Sequence, residues 1–242
     1  MNYIHTSELV KAIYLGGPPN ERKLLLTADR ELISRKIRKL KTIFNRPENL
    51  LITEEPMQEE NWSKVPENDK ASINKLSQKL KKGNTNVLDE LLEFKRKYPN
   101  VPALNNYLSI CFQQKNEHEK YVSILFETVK EFPNYLFGKT ALAEYYLITG
   151  EFDKIPAILK NKFALSQHFP PGTKVFHISA VRSFYFVIGK YFVRSGIIEL
   201  AYKSYYLISD LDPTHIMAKV LGREIVEYEI QELNKEFAKN IS

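Results

Sequence analysis

The chain has a single cysteine, few glycines and no long hydrophobic run, and each scarcity excludes a class of protein. Cys111 is the only cysteine among 242 residues, so neither an intrachain disulfide nor a multi-cysteine zinc site can form. Nine glycines and 12 prolines exclude a collagen-like or linker-type composition. No apolar run approaches the roughly 20 residues of a membrane-spanning helix, and the N-terminal segment lacks the basic region of a secretory signal. We therefore expect a cytoplasmic globular protein without a membrane span.

Charge divides the first 69 residues into two unlike segments. Residues 1–46 carry ten basic and four acidic side chains, whereas residues 47–69 carry seven acidic side chains, one basic side chain and three prolines. This composition predicts a basic helical N-terminal region over 1–46 and an acidic, proline-containing linker over 47–69. The net charge of the whole chain, +6, is too small to indicate a class of partner by itself.

From residue 70 onward, apolar residues recur at helical spacing and no alternating strand pattern occurs. The first helix is expected to stop at Gly83. Asn116, followed three residues later by Glu119, is typical of a helix N-cap. Cys111 falls on an apolar helical face, which predicts a small core residue. This region is therefore expected to be entirely helical.

The proline-containing segments that separate these helices recur at a regular spacing. Tyr98-Pro99-Asn100 recurs as Phe132-Pro133-Asn134, so the two prolines are 34 residues apart. Two helices of about a dozen residues fit into each such interval, and 34 residues is the tetratricopeptide (TPR) period.

The segment from about 183 to 213 resembles a complete TPR motif. The matching residues are Tyr185, Ile188-Gly189 and Phe192 in the first helix, Gly196 in the turn, and Ala201, Tyr205 and Asp212-Pro213 in the second helix. The preceding unit is similar, with Leu142-Ala143, Tyr146, Gly150, Phe152 and Leu159. The resemblance implies an all-α fold over residues 70–242. Its form is a TPR-like right-handed α-solenoid of about four hairpins, ended by a capping helix after Pro213.

The size, backbone hydrogen bonding and charge of individual residues also fit a chain of helical hairpins. Gly189 and Ala201 are small where two helices would cross. Pro156 lacks a backbone donor, so its helix is expected to start near Lys154 or to kink. Residues 170–178 are expected to form a loop, which would lengthen the last interval between helix-ending prolines, from Pro170 to Pro213. The outer positions of the final helix include Arg223 and Glu224, as a solvated capping helix requires.

The sequence offers little for catalysis. Its five histidines lack metal-ligand spacing, and it contains neither a nucleophile elbow nor a phosphate-binding GxxxxGK[ST] loop. We therefore expect no enzymatic activity, no metal and no cofactor.

The resemblance to TPR proteins implies a concave groove that binds a peptide or helix of another protein, so the expected function is that of an interaction scaffold or adaptor. The positions that match the family's groove-facing residues are Asn106, Gln113, Thr140, Glu144, Lys190 and Arg194. Lys190 and Arg194 are four residues apart, so they share a helical face and can hold a carboxylate ligand. An ordinary solvated helix face is the alternative for each residue. The acidic segment 54–60 suggests autoinhibition, in which it folds onto Lys190 and Arg194 until a partner displaces it.

A second hypothesis concerns the dense basic stretch in residues 30–44. Its basic residues are Arg35, Lys36, Arg38, Lys39 and Lys41, beside an apolar stripe of Ile33, Ile37, Leu40 and Phe44. Such an amphipathic helix can contact nucleic-acid phosphates, an anionic membrane surface or an acidic partner, and a nucleic-acid-associated protein is the alternative function. The solvated outer face of a packed helix remains the other interpretation. Short strands at 23–27 and 49–53 around this helix are a further alternative.

Overall fold

The structure, a computed structural model, describes residues 50–55 and 60–241, and these are mostly helical, as the sequence predicts. The strands are β1 (Leu51–Thr53) and β2 (Val175–His177). The helices are α1 (Glu60–Ser63), α2 (Glu67–Lys81), α3 (Leu88–Lys97), α4 (Pro102–Gln114), α5 (His118–Glu131), α6 (Leu136–Thr149), α7 (Ile155–Ile158), α8 (Ile178–Arg194), α9 (Ile198–Ser209) and α10 (Ile216–Ile241). The chain divides into two compact units, with one boundary within β1, between Leu51 and Ile52, and another within α8, between Ala180 and Val181.

Five helices end in the same backbone turn, four of them long and one the four-residue α7. At the C-cap of each of these four long helices, or directly after it, one residue has a left-handed conformation: Gly83, Asn116, Gly150 and Gly196 have φ of 82°, 57°, 81° and 73°. The next N–H then donates to the carbonyl five residues earlier: Asn84 to Lys79 (3.1 Å), Glu117 to Phe112 (2.9 Å), Glu151 to Tyr146 (2.9 Å) and Ile197 to Phe192 (2.8 Å). This bond defines the Schellman motif, which satisfies carbonyls left open at a helix end. Thus α2, α4, α6 and α8 end in the same way. The short helix α7 does so too, with Lys160 left-handed (φ 55°) and the Asn161 N–H donating to the Pro156 carbonyl at 2.7 Å.

Asn116 differs from its sequence-based assignment. It ends α4 rather than beginning α5, whose N-cap position is occupied by Glu117 without a side-chain capping bond. Asparagine tolerates the left-handed region better than most residues, so it replaces the glycine found at the turns after α2, α6 and α8.

The recurring Tyr-Pro-Asn and Phe-Pro-Asn sequences have the same geometry. Tyr98, which caps α3, has φ and ψ of −126° and 64°, and Phe132, which caps α5, has −124° and 66°. Each N–H donates to the carbonyl four residues earlier at 2.8 Å. The helical region is disfavoured for the residue before a proline, which agrees with both helices ending there. The 34-residue sequence spacing is therefore also a repeat of backbone structure.

In the unit Ile52–Ala180, alternate helices contact one another: α2 contacts α4, and α4 contacts α6. The intervening helices α3 and α5 also pack on α4. The buried core formed here consists of Val65, Ile73, Leu76, Leu80, Val87, Leu91, Val101, Leu104, Leu108, Cys111, Phe112 and Ile124. The burial of Cys111 confirms its prediction as a core residue.

Two features depart from uniform helical hairpins. The chain after α6 forms a 3-10 turn at Phe152–Lys154 and then only the four-residue α7, with Pro156 in its first turn. The expected helix start beside Pro156 is therefore confirmed. Within residues 170–178, which were expected to be a loop, β2 forms and pairs with β1. The expectation of an entirely helical region is wrong at this point, whereas a strand within 49–53 was among the alternatives.

In the unit that contains Val181 onward, α8, α9 and α10 approach closely at Gly189. A Cβ atom built on Gly189 would lie 2.6 Å from Leu221 Cδ2 on α10 and 3.0 Å from Ser204 Cβ on α9. Ala201 on α9 is fully buried. The small residues thus lie in tightly packed helix contacts, as the sequence predicts.

A polar contact between α2 and α3 makes stability depend on pH. The Lys97 amino group lies 2.7 Å from Asp69 Oδ2, and the Tyr98 hydroxyl also donates to this carboxylate. These two bonds hold the pKa of Asp69 below its ordinary value of 3.8, with Lys97 as the larger cause. Because the folded pKa lies below the unfolded one, the contribution to stability is complete above pH 3.8 and is lost as pH falls through the folded pKa.

We therefore expect Tyr98→Phe to reduce the acid-induced loss of stability, and Asp69→Asn to remove the part that depends on this carboxylate. Urea unfolding of the full chain, from about pH 6 to about pH 2, measures both effects. Tyr145→Phe is the control for hydroxyl removal in the same unit. An unchanged acid dependence in Asp69→Asn would contradict the assignment.

Candidate partner-binding residues

The first four candidate residues lie on two neighbouring helices. Asn106 and Gln113 are seven residues apart on α4, which places them on one face; Asn106 is half-buried and Gln113 is exposed. On α6, Glu144 is half-buried, whereas Thr140 is only 4% exposed and its hydroxyl donates to the Phe137 carbonyl at 3.2 Å. Asn106, Gln113 and Glu144 are therefore accessible to some degree, and Thr140 is an interior residue.

Glu144 lies beside a group of aromatic side chains from α5 and α6. The ring centroids of His118, Tyr121 and Tyr145 are 6.2 to 6.5 Å apart. Burial, with smaller contributions from Glu144 and Tyr145, raises the pKa of Tyr121 to about 12. Tyr121 therefore stays a neutral hydrogen-bonding group at physiological pH. This edge carries aromatic area, which is enriched at protein-binding surfaces, beside one carboxylate.

Lys190 and Arg194 share one carboxylate, but it belongs to the chain itself. Lys190 Nζ lies 3.1 Å from Glu224 Oε1, and an Arg194 Nη atom lies 3.9 Å from Glu224 Oε2. The Lys190 amino group also lies 5.1 Å from the centre of the Phe186 ring. An acidic ligand at these residues would have to displace Glu224. Glu224, expected to be a solvated outer residue, is instead largely buried in an ion pair.

The two ion pairs of Glu224 differ in burial, so their contributions to stability should differ. The Lys190 and Glu224 side chains are 14% and 17% exposed, whereas that of Arg194 is 52% exposed. We expect Lys190→Met to lower the free energy of unfolding by about 2 kcal/mol, because Glu224 loses its nearest cation. Arg194→Met should cost less than about 0.5 kcal/mol.

Chemical denaturation of the two variants provides a matched comparison, since each removes one positive charge from α8. Equal losses for Lys190→Met and Arg194→Met would contradict the assignment of Lys190 as the main partner of Glu224.

Several predictions fall outside the described residues. The basic residues Arg35, Lys36, Arg38, Lys39 and Lys41 lie there, as do the expected strand at 23–27 and most of the acidic segment 54–60. Their roles in nucleic-acid binding and autoinhibition stay predictions.

Between residues 50 and 241, outside the gap at 56–59, no group of three or more His, Cys, Asp or Glu side chains is placed to hold a metal ion. In the same ranges, no helix has the length and apolar character needed to cross a membrane.

Comparison with known proteins gives no relative: no family model, curated protein or solved structure matches this chain.

Proposed function

We propose that this chain is a protein-interaction scaffold, built from TPR-like helical hairpins, that binds a peptide or helix of another protein. We place it in the cytoplasm, because a single buried, unpaired thiol suits a reducing compartment. The observation that carries the proposal is the recurrence of one hairpin turn, the Schellman motif after α2, α4, α6 and α8.

Helix contacts within Ile52–Ala180 support the stacking of successive hairpins. The first helices of three consecutive hairpins, α2, α4 and α6, touch in sequence order. In a solenoid, each hairpin buries its apolar stripe against its neighbours, and the first helices line a common surface. An array of this kind offers an extended face to a partner segment, without chemistry of its own.

The proposed partner-binding surface includes Asn106 and Gln113 on α4 and Glu144 on α6. These residues provide amide donors and acceptors and one carboxylate, which suits hydrogen bonding to an extended or helical segment. Lys190 and Arg194 are less suited to this role, because Glu224 already occupies them.

A pair of matched variants tests the proposal. Gln113→Arg adds a long charged side chain at an exposed position of α4, and Ser123→Arg makes the same neutral-to-basic change at an exposed position of α5. A partner is captured with the wild-type full chain, identified and purified, and its affinity is measured for all three proteins. We expect Gln113→Arg to weaken binding at least about tenfold and Ser123→Arg to leave it unchanged. Equal affinity of the two variants would contradict the assignment of this surface.

A further inference from the structure

Three aromatic side chains, where α5 and α6 pack together, form a cluster at the surface. The ring centroids are 6.5 Å apart for His118 and Tyr121, 6.2 Å for His118 and Tyr145, and 6.3 Å for Tyr121 and Tyr145. His118 is exposed, and the two tyrosines are half-buried. The ring planes are inclined by 45°, 43° and 71°, so the rings do not cover one another's faces by stacking. We call these three residues the aromatic cluster.

The spacing of the three rings fits a positive charge placed above them. The centre of a triangle with these sides lies about 3.7 Å from each centroid. A cation about 3.5 Å above that centre is therefore about 5 Å from all three rings, inside the limit of about 6 Å for a cation–π interaction. One cation can thus interact with the whole aromatic cluster.

The chain does not supply this cation from the residues that the structure describes. Elsewhere, lysine amino groups lie 5.1 to 5.7 Å from the centres of four aromatic rings, which are those of Tyr98, Phe112, Tyr146 and Phe186. No described lysine or arginine lies over Tyr121 or Tyr145 in this way. The lysine next to the cluster in sequence, Lys120, lies over Phe112 instead, and its amino group is 2.7 Å from Glu117 Oε2. A cation above the cluster would have to come from another molecule.

A carboxylate lies beside the aromatic cluster. Glu144 directly precedes Tyr145 on α6 and is half-buried. After burial, its charge is the next largest cause that raises the pKa of Tyr121, so the carboxylate acts on a ring of α5 as well. Arginine fits this combination better than lysine, because its planar guanidinium stacks on aromatic faces and can form two parallel hydrogen bonds with one carboxylate.

We propose that the aromatic cluster and Glu144 bind an arginine side chain of the partner segment. The rings hold the guanidinium by cation–π interactions, and the Glu144 carboxylate accepts its hydrogen bonds. This inference rests on the proposed function, because Glu144 belongs to the proposed partner-binding surface. It adds the chemistry of the partner, whose bound segment carries an arginine that reaches the start of α5.

A blocked amino acid tests the site without a partner protein. N-acetyl-arginine methylamide is titrated into the full chain, and binding is followed by the NMR signals of the His118 ring protons, which are assigned with His118→Gln. N-acetyl-citrulline methylamide, which has a similar shape without the positive charge, is the control ligand. Titration at about pH 8 keeps histidine rings neutral. We expect saturable shifts with the arginine compound and at least about tenfold weaker binding of the citrulline compound.

Two variants of the site and one control variant identify the groups involved. Glu144→Gln keeps the shape of the side chain without its charge and should weaken binding of the arginine compound at least about fivefold. Glu90→Gln makes the same change at an exposed position of α3 and should leave binding unchanged. Tyr145→Leu removes one ring and should weaken binding several-fold, even if Glu144→Gln fails to fold.

Absence of saturable shifts in the wild type would overturn the proposal, as would equal affinities for the arginine and citrulline compounds. Equal affinities of the wild type and either folded site variant would also overturn it.

The result can be separated from that of the proposed function, because the arginine compound needs no partner protein. Binding of this compound, together with equal partner affinities of Gln113→Arg and Ser123→Arg, would contradict the partner-binding surface alone. No binding of the compound, together with weaker partner binding by Gln113→Arg, would contradict the arginine site alone.

Discussion

Replacement of Gly189 by valine is expected to lower the free energy of unfolding by about 3 kcal/mol. Even the first added atom would lie 2.6 Å from a methyl carbon of Leu221 and 3.0 Å from Ser204 Cβ. Leu221 and Ser204 are themselves buried, on α10 and α9, so neither can move aside without disturbing its own contacts. The expected loss in the free energy of unfolding therefore comes from forcing three packed helices apart.

Chemical denaturation of the full chain measures this loss. Arg223→Val, at an exposed position of α10, is the control for placing a β-branched residue in a helix and should cost well under 1 kcal/mol. A loss in Gly189→Val no larger than that of Arg223→Val would mean that the three helices do not meet closely at this residue.

The Cys111 thiol is expected to react with a disulfide reagent at least about 1,000-fold more slowly in the folded chain than in the unfolded chain. The side chain is fully buried, and its sulfur lies 3.6 Å from the Thr85 carbonyl oxygen. Burial is also the largest cause that raises the pKa of this thiol, which lowers the fraction of reactive thiolate. Labelling must therefore wait for the core between α2 and α5 to open.

An exposed thiol provides the comparison for this experiment. In a Cys111→Ser background, Ser123→Cys places a thiol on the exposed side of α5, where it should react at the rate of the unfolded chain. Similar labelling rates for Cys111 and for the cysteine at 123, both in folded protein, would contradict the described core.

Features governed by local sequence could be predicted. Helix ends at Gly83, Tyr98 and Phe132 follow from the conformations that glycine and pre-proline residues adopt, whatever packs around them. The burial of Cys111 follows from helical periodicity. The pairing of β1 with β2 could not be predicted, because each strand has three residues and more than 120 residues separate them along the chain. Such short segments carry little pattern, and their pairing depends on tertiary packing.

The candidate site was predictable only in part. Repeat spacing predicted α4 and α6 as first helices of hairpins, and helical spacing predicted that Lys190 and Arg194 share one face of α8. Neither could reveal that Glu224, 30 residues further along, supplies their carboxylate, because this contact depends on how α10 packs. The burial of Lys139 on α6, which is only 4% exposed, could not be predicted for a similar reason: a lysine in a helical pattern normally indicates a solvated position. Only the surrounding fold shows that it is buried.

The central claim is that the chain binds another protein through the first helices of its hairpins. Photo-crosslinking in cells tests this claim most directly. A benzophenone amino acid is placed at position 113 on α4 in one full-length protein and at position 123 on α5 in another. The proposal predicts a covalent adduct with a discrete protein partner from position 113 and none from position 123. Protein adducts from position 123 alone, or from neither position, would contradict it.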